Sequence, residues 1–168
     1  MKLSNTYLIG CQAMFYEIEI IEEYIKSVYK ALEFVDNKEN VTVEIMWNLS
    51  SYFEECESKQ KKTDIVVRIG ELQKKYGFQS LFYQDDKKPY TMANYRRELN
   101  TRGVDYDFTI WGESDCLMPR ELFVSLEQVS QYAESQNINK YVATFGVRKM
   151  WDESWKILQH PKSVSYTH

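Results

Sequence analysis

The hydrophobic period of the chain changes twice between Thr6 and Trp47, and this constrains the fold more than any other feature. Thr6-Tyr7-Leu8-Ile9-Gly10-Cys11-Gln12 is a short apolar run closing near a glycine. Such a run reads as a buried strand. Ile18, Ile21, Ile25, Val28, Leu32 and Val35 then recur at three- and four-residue steps, with Glu22, Glu23, Lys26, Lys30 and Glu33 mostly between them. That spacing lines one face of a helix. Asp36 to Asn40 is a polar stop, and Val41 to Trp47 is β-branched and apolar, a second strand. Strand, helix, strand is a βαβ unit, which implies a parallel sheet and a right-handed crossover. Open sheets of this kind take ligands at the carboxyl ends of their strands. Gln12 to Tyr16 and Asn48 to Ser51 are therefore candidate pocket loops.

Downstream the signals are shorter. Ser51 to Lys62 is polar and helical in character, Asp64 to Ile69 fits either a strand or a helix, and Leu72 to Phe82 mixes both periods. Asp85 to Pro89 is a polar break. Met92, Tyr95, Arg96 and Leu99 keep helical spacing, and Tyr106 to Trp111 alternates up to Gly112, which predicts a strand. Pro119 opens a helix with Leu122, Phe123, Leu126 and Val129 on its apolar face. Lys140 to Phe145 predicts a further strand, and Pro161 to His168 reads as a tail. Six glycines and three prolines leave few tight turns, which speaks against a many-stranded sandwich. The expectation is one α/β domain over residues 1–168, a mostly parallel twisted sheet with helices on both faces.

Composition excludes several classes. A net charge of −4 and no basic cluster beyond Lys59, Lys61 and Lys62 argue against a nucleic-acid partner. No apolar run approaches the ~20 residues of a membrane span. The first nine residues hold one lysine and lack the long apolar core of a secretory leader. Cys11, Cys56 and Cys116 are odd in number and widely spaced, as in reduced thiols of a cytoplasmic protein. They form no CxxC pair and sit near no clustered histidine, so they carry no zinc-site pattern.

The strongest chemical signal is Tyr106 to Pro119, where a hydrophobic strand runs into Glu113-Ser114-Asp115. Acids at i and i+2 project to one side of an extended backbone. Two hard oxygen ligands at a strand's carboxyl end suit Mg²⁺ or Mn²⁺, which would neutralise a diphosphate and assist its departure. The plainer reading is a pair of solvated acids capping the helix near Pro119. By the same reasoning Trp47, Trp111, Trp151 and Trp155 are core residues by default, and Cys116 is a small buried side chain.

Here the chain resembles the GT-A fold glycosyltransferases of the inverting family-2 type. In that family a helix with an Arg-Asn pair precedes a strand ending in a DXD motif, and a Pro-led helix follows. Asn94 to Asn100, Tyr106 to Trp111, Glu113-Ser114-Asp115 and Leu117-Met118-Pro119 occupy those slots. The resemblance implies residues 1–126 as a nucleotide-sugar-binding part and 127–160 as a short acceptor side. It implies transfer of a sugar from a nucleotide-diphosphate-sugar donor to a hydroxyl acceptor, assisted by Mn²⁺ or Mg²⁺. Asp115, with Glu113, would hold the metal, and Arg96 or Arg97 would face the diphosphate. Gln12, Ala13 and Met14 would hold the nucleotide base, with Asn48 on the neighbouring loop. Asp152 or Glu153 would be the catalytic base. The family's acidic cluster after the second strand is absent at Asn48-Leu49-Ser50-Ser51. A non-catalytic relative of the same fold and a sugar-nucleotide nucleotidyltransferase are the alternatives.

Overall fold

A computed structural model of the chain describes residues 1–51 and 61–144 and the backbone of 148–149. The opening unit is β1 (Tyr7–Met14), α1 (Ile18–Leu32) and β2 (Val41–Asn48). It is followed by α2 (Lys62–Tyr76), β3 (Gln79–Tyr83), α3 (Met92–Arg102) and β4 (Phe108–Glu113). A two-residue strand β5 (Cys116–Leu117) precedes α4 (Leu122–Ser135) and pairs antiparallel with β6 (Arg148–Lys149). The main sheet is parallel throughout, in the order β3-β2-β1-β4. This is the open α/β sheet that the periodicity predicts.

Alternation along β1 and β2 sorts the helices onto two faces. Tyr7, Ile9, Cys11 and Ala13, with Val43, Ile45 and Trp47, form one core with apolar residues of α1, α2 and α4. Leu8 and Met46 point the other way, into a smaller cluster with Tyr95 and Leu99 of α3. Period-two side chains buried on both faces are what a central parallel strand requires. Glu44 shares the α3 face of β2 and is 2% exposed. Its carboxylate accepts from Tyr95 Oη at 3.0 Å and from Arg102 Nε and Nη2 at 2.8 and 2.6 Å. Glu127 of α4 accepts from Tyr7 Oη at 2.7 Å and from the Ser4 amide at 3.0 Å, fastening the N-terminus to the sheet.

Helix ends explain where the sequence signals blur. The helix α2 stops at Gly77, whose φ of 83° is left-handed and whose N–H donates to the Gln73 carbonyl at 2.8 Å. The mixed period of Leu72 to Phe82 is thus a helix end joined to β3 by two residues, Gly77 and Phe78, and Asp64 to Ile69 is helical. Thr91 caps α3: its Oγ1 accepts from the Asn94 amide at 3.4 Å, and Asn94 Oδ1 accepts from the Thr91 amide at 3.1 Å.

Two expectations are corrected. The helix after Pro119 begins at Leu122, with Glu121 at its N-cap. Residues 140–144 form no strand. A strand needs a ladder partner, and no described residue pairs with this segment. Tyr141 instead packs on the Phe108 ring, with centroids 5.7 Å apart. No helix among the described residues is long and apolar enough to cross a membrane.

Helix α1 lies close to the sheet because β4 carries a glycine beneath it. A Cβ at Gly112 would stand 2.0 Å from Tyr24 Oη and 3.2 Å from the Gly10 carbonyl oxygen. Tyr24 is fully buried and has little room to retreat. Gly112→Ala is expected to cost roughly 1–3 kcal/mol through overpacking, read as a lower urea midpoint with unchanged slope.

Candidate metal centre

In the order β3-β2-β1-β4 the chain leaves β1 on one side through β2 and returns on its other side as β4. The strand order therefore reverses between β1 and β4, and the crevice outside their carboxyl ends is the ligand position in such sheets. Gln12 of β1 is in register with Glu113, the last residue of β4. Ser114 and Asp115 then turn the chain back into β5. Helix α1 fixes this turn from below. The Ser27 hydroxyl accepts from the Met118 amide at 2.9 Å while donating to the Tyr24 carbonyl at 2.7 Å.

The turn gathers three ligating side chains. One ligand atom each from Glu113, Asp115 and Cys116 lies within 4.8 Å of the others, a group that could hold a metal ion. Cys116 Sγ is 3.3 Å from Asp115 Oδ1 and 3.8 Å from Glu113 Oε2. The other oxygen of Glu113 accepts from Arg96 Nη2 at 2.6 Å. Arg96 also lies over the Trp111 ring, 5.2 Å from its centroid, and Trp111 Nε1 donates to Asn100 Oδ1 at 2.9 Å. One turn of α3 thus aims a single guanidinium at the site.

Two further groups complete the floor. Glu17 follows β1 in a short 3₁₀ turn, accepts from the Met14 amide at 2.7 Å and from Ser114 Oγ at 3.3 Å, and is half-buried. Burial pushes its carboxyl above the ordinary glutamate range, and the charge of Asp115 adds to the push, against the lowering by those two hydrogen bonds. Burial, with the hydrogen bond to Asp115 second, also raises the Cys116 thiol. Gln12 is 5% exposed, and its Oε1 has no hydrogen-bond partner. The buried hydroxyl of Tyr24 and the Nε of Arg96 likewise have none. Orphaned buried polar atoms are uncommon, and two of them, Gln12 Oε1 and Arg96 Nε, lie on the α3 side at the Glu113 end of the sheet, where ligand atoms would satisfy them. The Tyr24 hydroxyl lies on the other side, against Gly112.

An apolar cleft of about 500 Å³ opens from this cluster and follows the outer edge of β4. Glu113, Cys116 and Arg96 line its polar end; Ile110, Leu122 and Leu126 line its apolar length.

The sequence-predicted residues separate on this geometry. Glu113, Asp115, Arg96 and Gln12 converge. Arg97 is exposed. Ala13 is fully buried on the opposite face of the sheet, within the core under α1. Met14 contributes its backbone N–H to Glu17. Asn48 is wholly buried, and its amide is engaged, donating to the Tyr90 carbonyl at 3.1 Å and accepting from the Ser50 amide at 3.1 Å. Asp152 and Glu153 lie outside the described residues. The capping role weighed for Glu113 and Asp115 fails, since α4 starts seven residues after Asp115. Trp111, expected in the core, is 51% exposed. Glu17 and the thiol of Cys116 are site members that the sequence reading missed. The position of Glu17 just after the first pocket loop was the available signal.

No protein-family model matches the chain, and no curated protein matches it. Several solved structures are similar, two of which follow. One is U34-tRNA thiolase NcsA from Methanococcus maripaludis with its [4Fe-4S] cluster, at 13% identity and a TM-score of 0.37 over 66% of this chain and 39% of that one. The other is N,N'-diacetylchitobiose deacetylase from Pyrococcus horikoshii complexed with its inhibitor MPG, at 14% identity and a TM-score of 0.38 over 81% and 54%. The chain spans less than two thirds of either protein's length. These findings correct the glycosyltransferase expectation. Neither structure is a glycosyltransferase, and no model of that family matches. The resemblance rested on a short acidic motif and its flanks, within an architecture that many unrelated activities share. Sugar transfer is withdrawn, and with it the partner set of nucleotide-sugar donor, hydroxyl acceptor and excluded nucleic acid. The two alternatives built on the same resemblance go too.

Proposed function

We propose that the chain is a metal-dependent enzyme whose reaction centre is the crevice between β1 and β4. The observation that carries this reading is the convergence of Glu113, Asp115 and Cys116 at the switch point of a parallel sheet. A divalent cation held there would polarise a substrate oxygen. The two carboxylates alone would suit Mn²⁺ or Mg²⁺. Arg96 offers its unpartnered Nε to an anionic or carbonyl oxygen of the substrate. Glu17 sits behind Asp115 and is the group proposed to take or give the proton, a task for a carboxyl held partly out of water. Asp152 and Glu153 follow Lys149 by three and four residues, and the Lys149 backbone pairs with Cys116. Either is a second proposed base. The apolar cleft along β4 would receive the rest of the substrate.

Thermal unfolding with and without divalent cations tests the reading. Mn²⁺, Co²⁺ or Zn²⁺ at a hundredfold excess over its dissociation constant is expected to add about 2.7 kcal/mol of stability. A melting temperature indifferent to all three would end the proposal. Glu17 supplies an independent check on the metal-free protein. Its folded carboxyl titrates above the unfolded value, so the folded chain retains a proton that the unfolded chain has released. Stability therefore falls as pH rises past about 4.5 through the folded value. Glu17→Gln removes that loss. The variant is expected to melt above wild type at pH 7 and level with it below pH 4.

A further inference from the structure

Resting on the metal reading above, we propose that the cation is of the borderline, thiol-accepting class typified by Zn²⁺ and Co²⁺. Glu113, Asp115 and the Cys116 thiolate would be its protein ligands, and Gln12 would face the fourth position. Distances carry the first part. Zinc binds thiolate sulfur at about 2.3 Å and carboxylate oxygen at 2.0–2.2 Å with tetrahedral angles, which places sulfur and oxygen ligands about 3.6 Å apart. The separations from Cys116 Sγ are 3.3 and 3.8 Å, on either side of that value. Both sulfur–oxygen separations thus match the spacing of ligands on one ion, and all three ligand atoms lie within 4.8 Å of one another. A hard cation in an octahedral shell gains little from sulfur and dehydrates reluctantly.

Gln12 is the independent observation. It leaves the sheet on the α3 side, as Glu113 does, and the two are in register on adjacent strands. Neighbouring strands stand about 4.8 Å apart, so the two side chains start from adjacent positions on one face of the sheet. A buried carbonyl oxygen without a donor is costly unless something positive meets it. Arg96 does not serve, because its Nη2 is spent on Glu113 Oε1 and its Nε remains unpartnered. A cation between Gln12, Glu113 and Cys116 would satisfy that oxygen, directly or through a bound water. Metal binding at Cys116 releases the thiol proton to solvent, and no electron transfer is involved.

Titrating the full metal-free chain with Co²⁺ reads this directly. Wild type is expected to develop an intense near-ultraviolet thiolate-to-cobalt charge-transfer band and the strong visible bands of a tetrahedral ion. Cys116→Ser is expected to lose the near-ultraviolet band and bind Co²⁺ at least tenfold more weakly, while Cys11→Ser and Cys56→Ser keep both. The wild-type spectrum decides the matter even if the variant folds poorly. Weak octahedral bands without charge transfer would overturn the thiolate assignment and leave a carboxylate metal site standing. No binding of Co²⁺, Mn²⁺ or Zn²⁺ would overturn both.

Discussion

Arg102→Ala is expected to lower the unfolding free energy by about 3 kcal/mol, the low end of the range for breaking a buried ion pair. The reason is the asymmetry of the pair. Glu44 is buried in the middle of β2, whereas the Arg102 side chain at the end of α3 is 36% exposed. Removing the arginine leaves a carboxylate under α3 with Tyr95 Oη as its remaining donor. Some water would enter the space vacated, which holds the cost at the lower end. Glu44→Gln in the Arg102→Ala background is expected to recover part of the loss, since it removes the stranded charge while keeping an acceptor for Tyr95. Urea unfolding of the two single variants and the double gives the coupling energy. Near-additive losses would show that the pair contributes little. The same variants bear on the site, because Arg102 and Arg96 share the helix that aims at Glu113.

The second large effect is on ligand binding. Asp115→Ala is expected to weaken divalent-metal binding by more than the 10–100-fold that losses outside the ligand shell produce. Stability of the metal-free protein should move the other way. Glu17, Glu113 and Asp115 place three carboxyl groups around one turn, with Arg96 the only cation bonded to any of them among the described residues. Deleting one acid relieves repulsion, so the metal-free variant should melt at or above wild type. Weaker metal binding together with a lower metal-free melting temperature would indicate that Asp115 is structural. Calorimetric titration with Mn²⁺ and Zn²⁺, alongside metal-free melting, separates the two.

How far the sequence carried varies by element. The βαβ unit was legible because α1 and the first two strands are long enough for their periods to be unambiguous. Lys140 to Phe145 misled because β-branched and aromatic residues report burial potential, while a strand also needs a ladder partner. Trp111 misled for a related reason: its ring is held by Asn100 and Arg96 at an exposed edge. Glu113 and Asp115 were legible as a local pair. Cys116, its neighbour, was set aside because no histidine lies near it, and the ligand set proposed here needs none. Gln12 was legible as a pocket-loop residue, but its pairing with Glu113 and the Glu17 contact with Ser114 are contacts across about a hundred residues that spacing along the chain does not display. Glu44 carried a signal that went unread, a lone acid inside a β-branched run. The family resemblance failed where it was most local. A two-acid motif at a strand end is a solution to holding a cation, and it recurs wherever that problem does.

The most direct test of the account is anomalous scattering from a crystal of the wild-type chain grown or soaked with Zn²⁺, recorded on both sides of the zinc edge. The account expects one strong zinc-specific peak between Glu113, Asp115 and Cys116, within about 2.4 Å of the sulfur. A well-occupied crystal with no peak there, or with its strongest peak at another part of the surface, would contradict it.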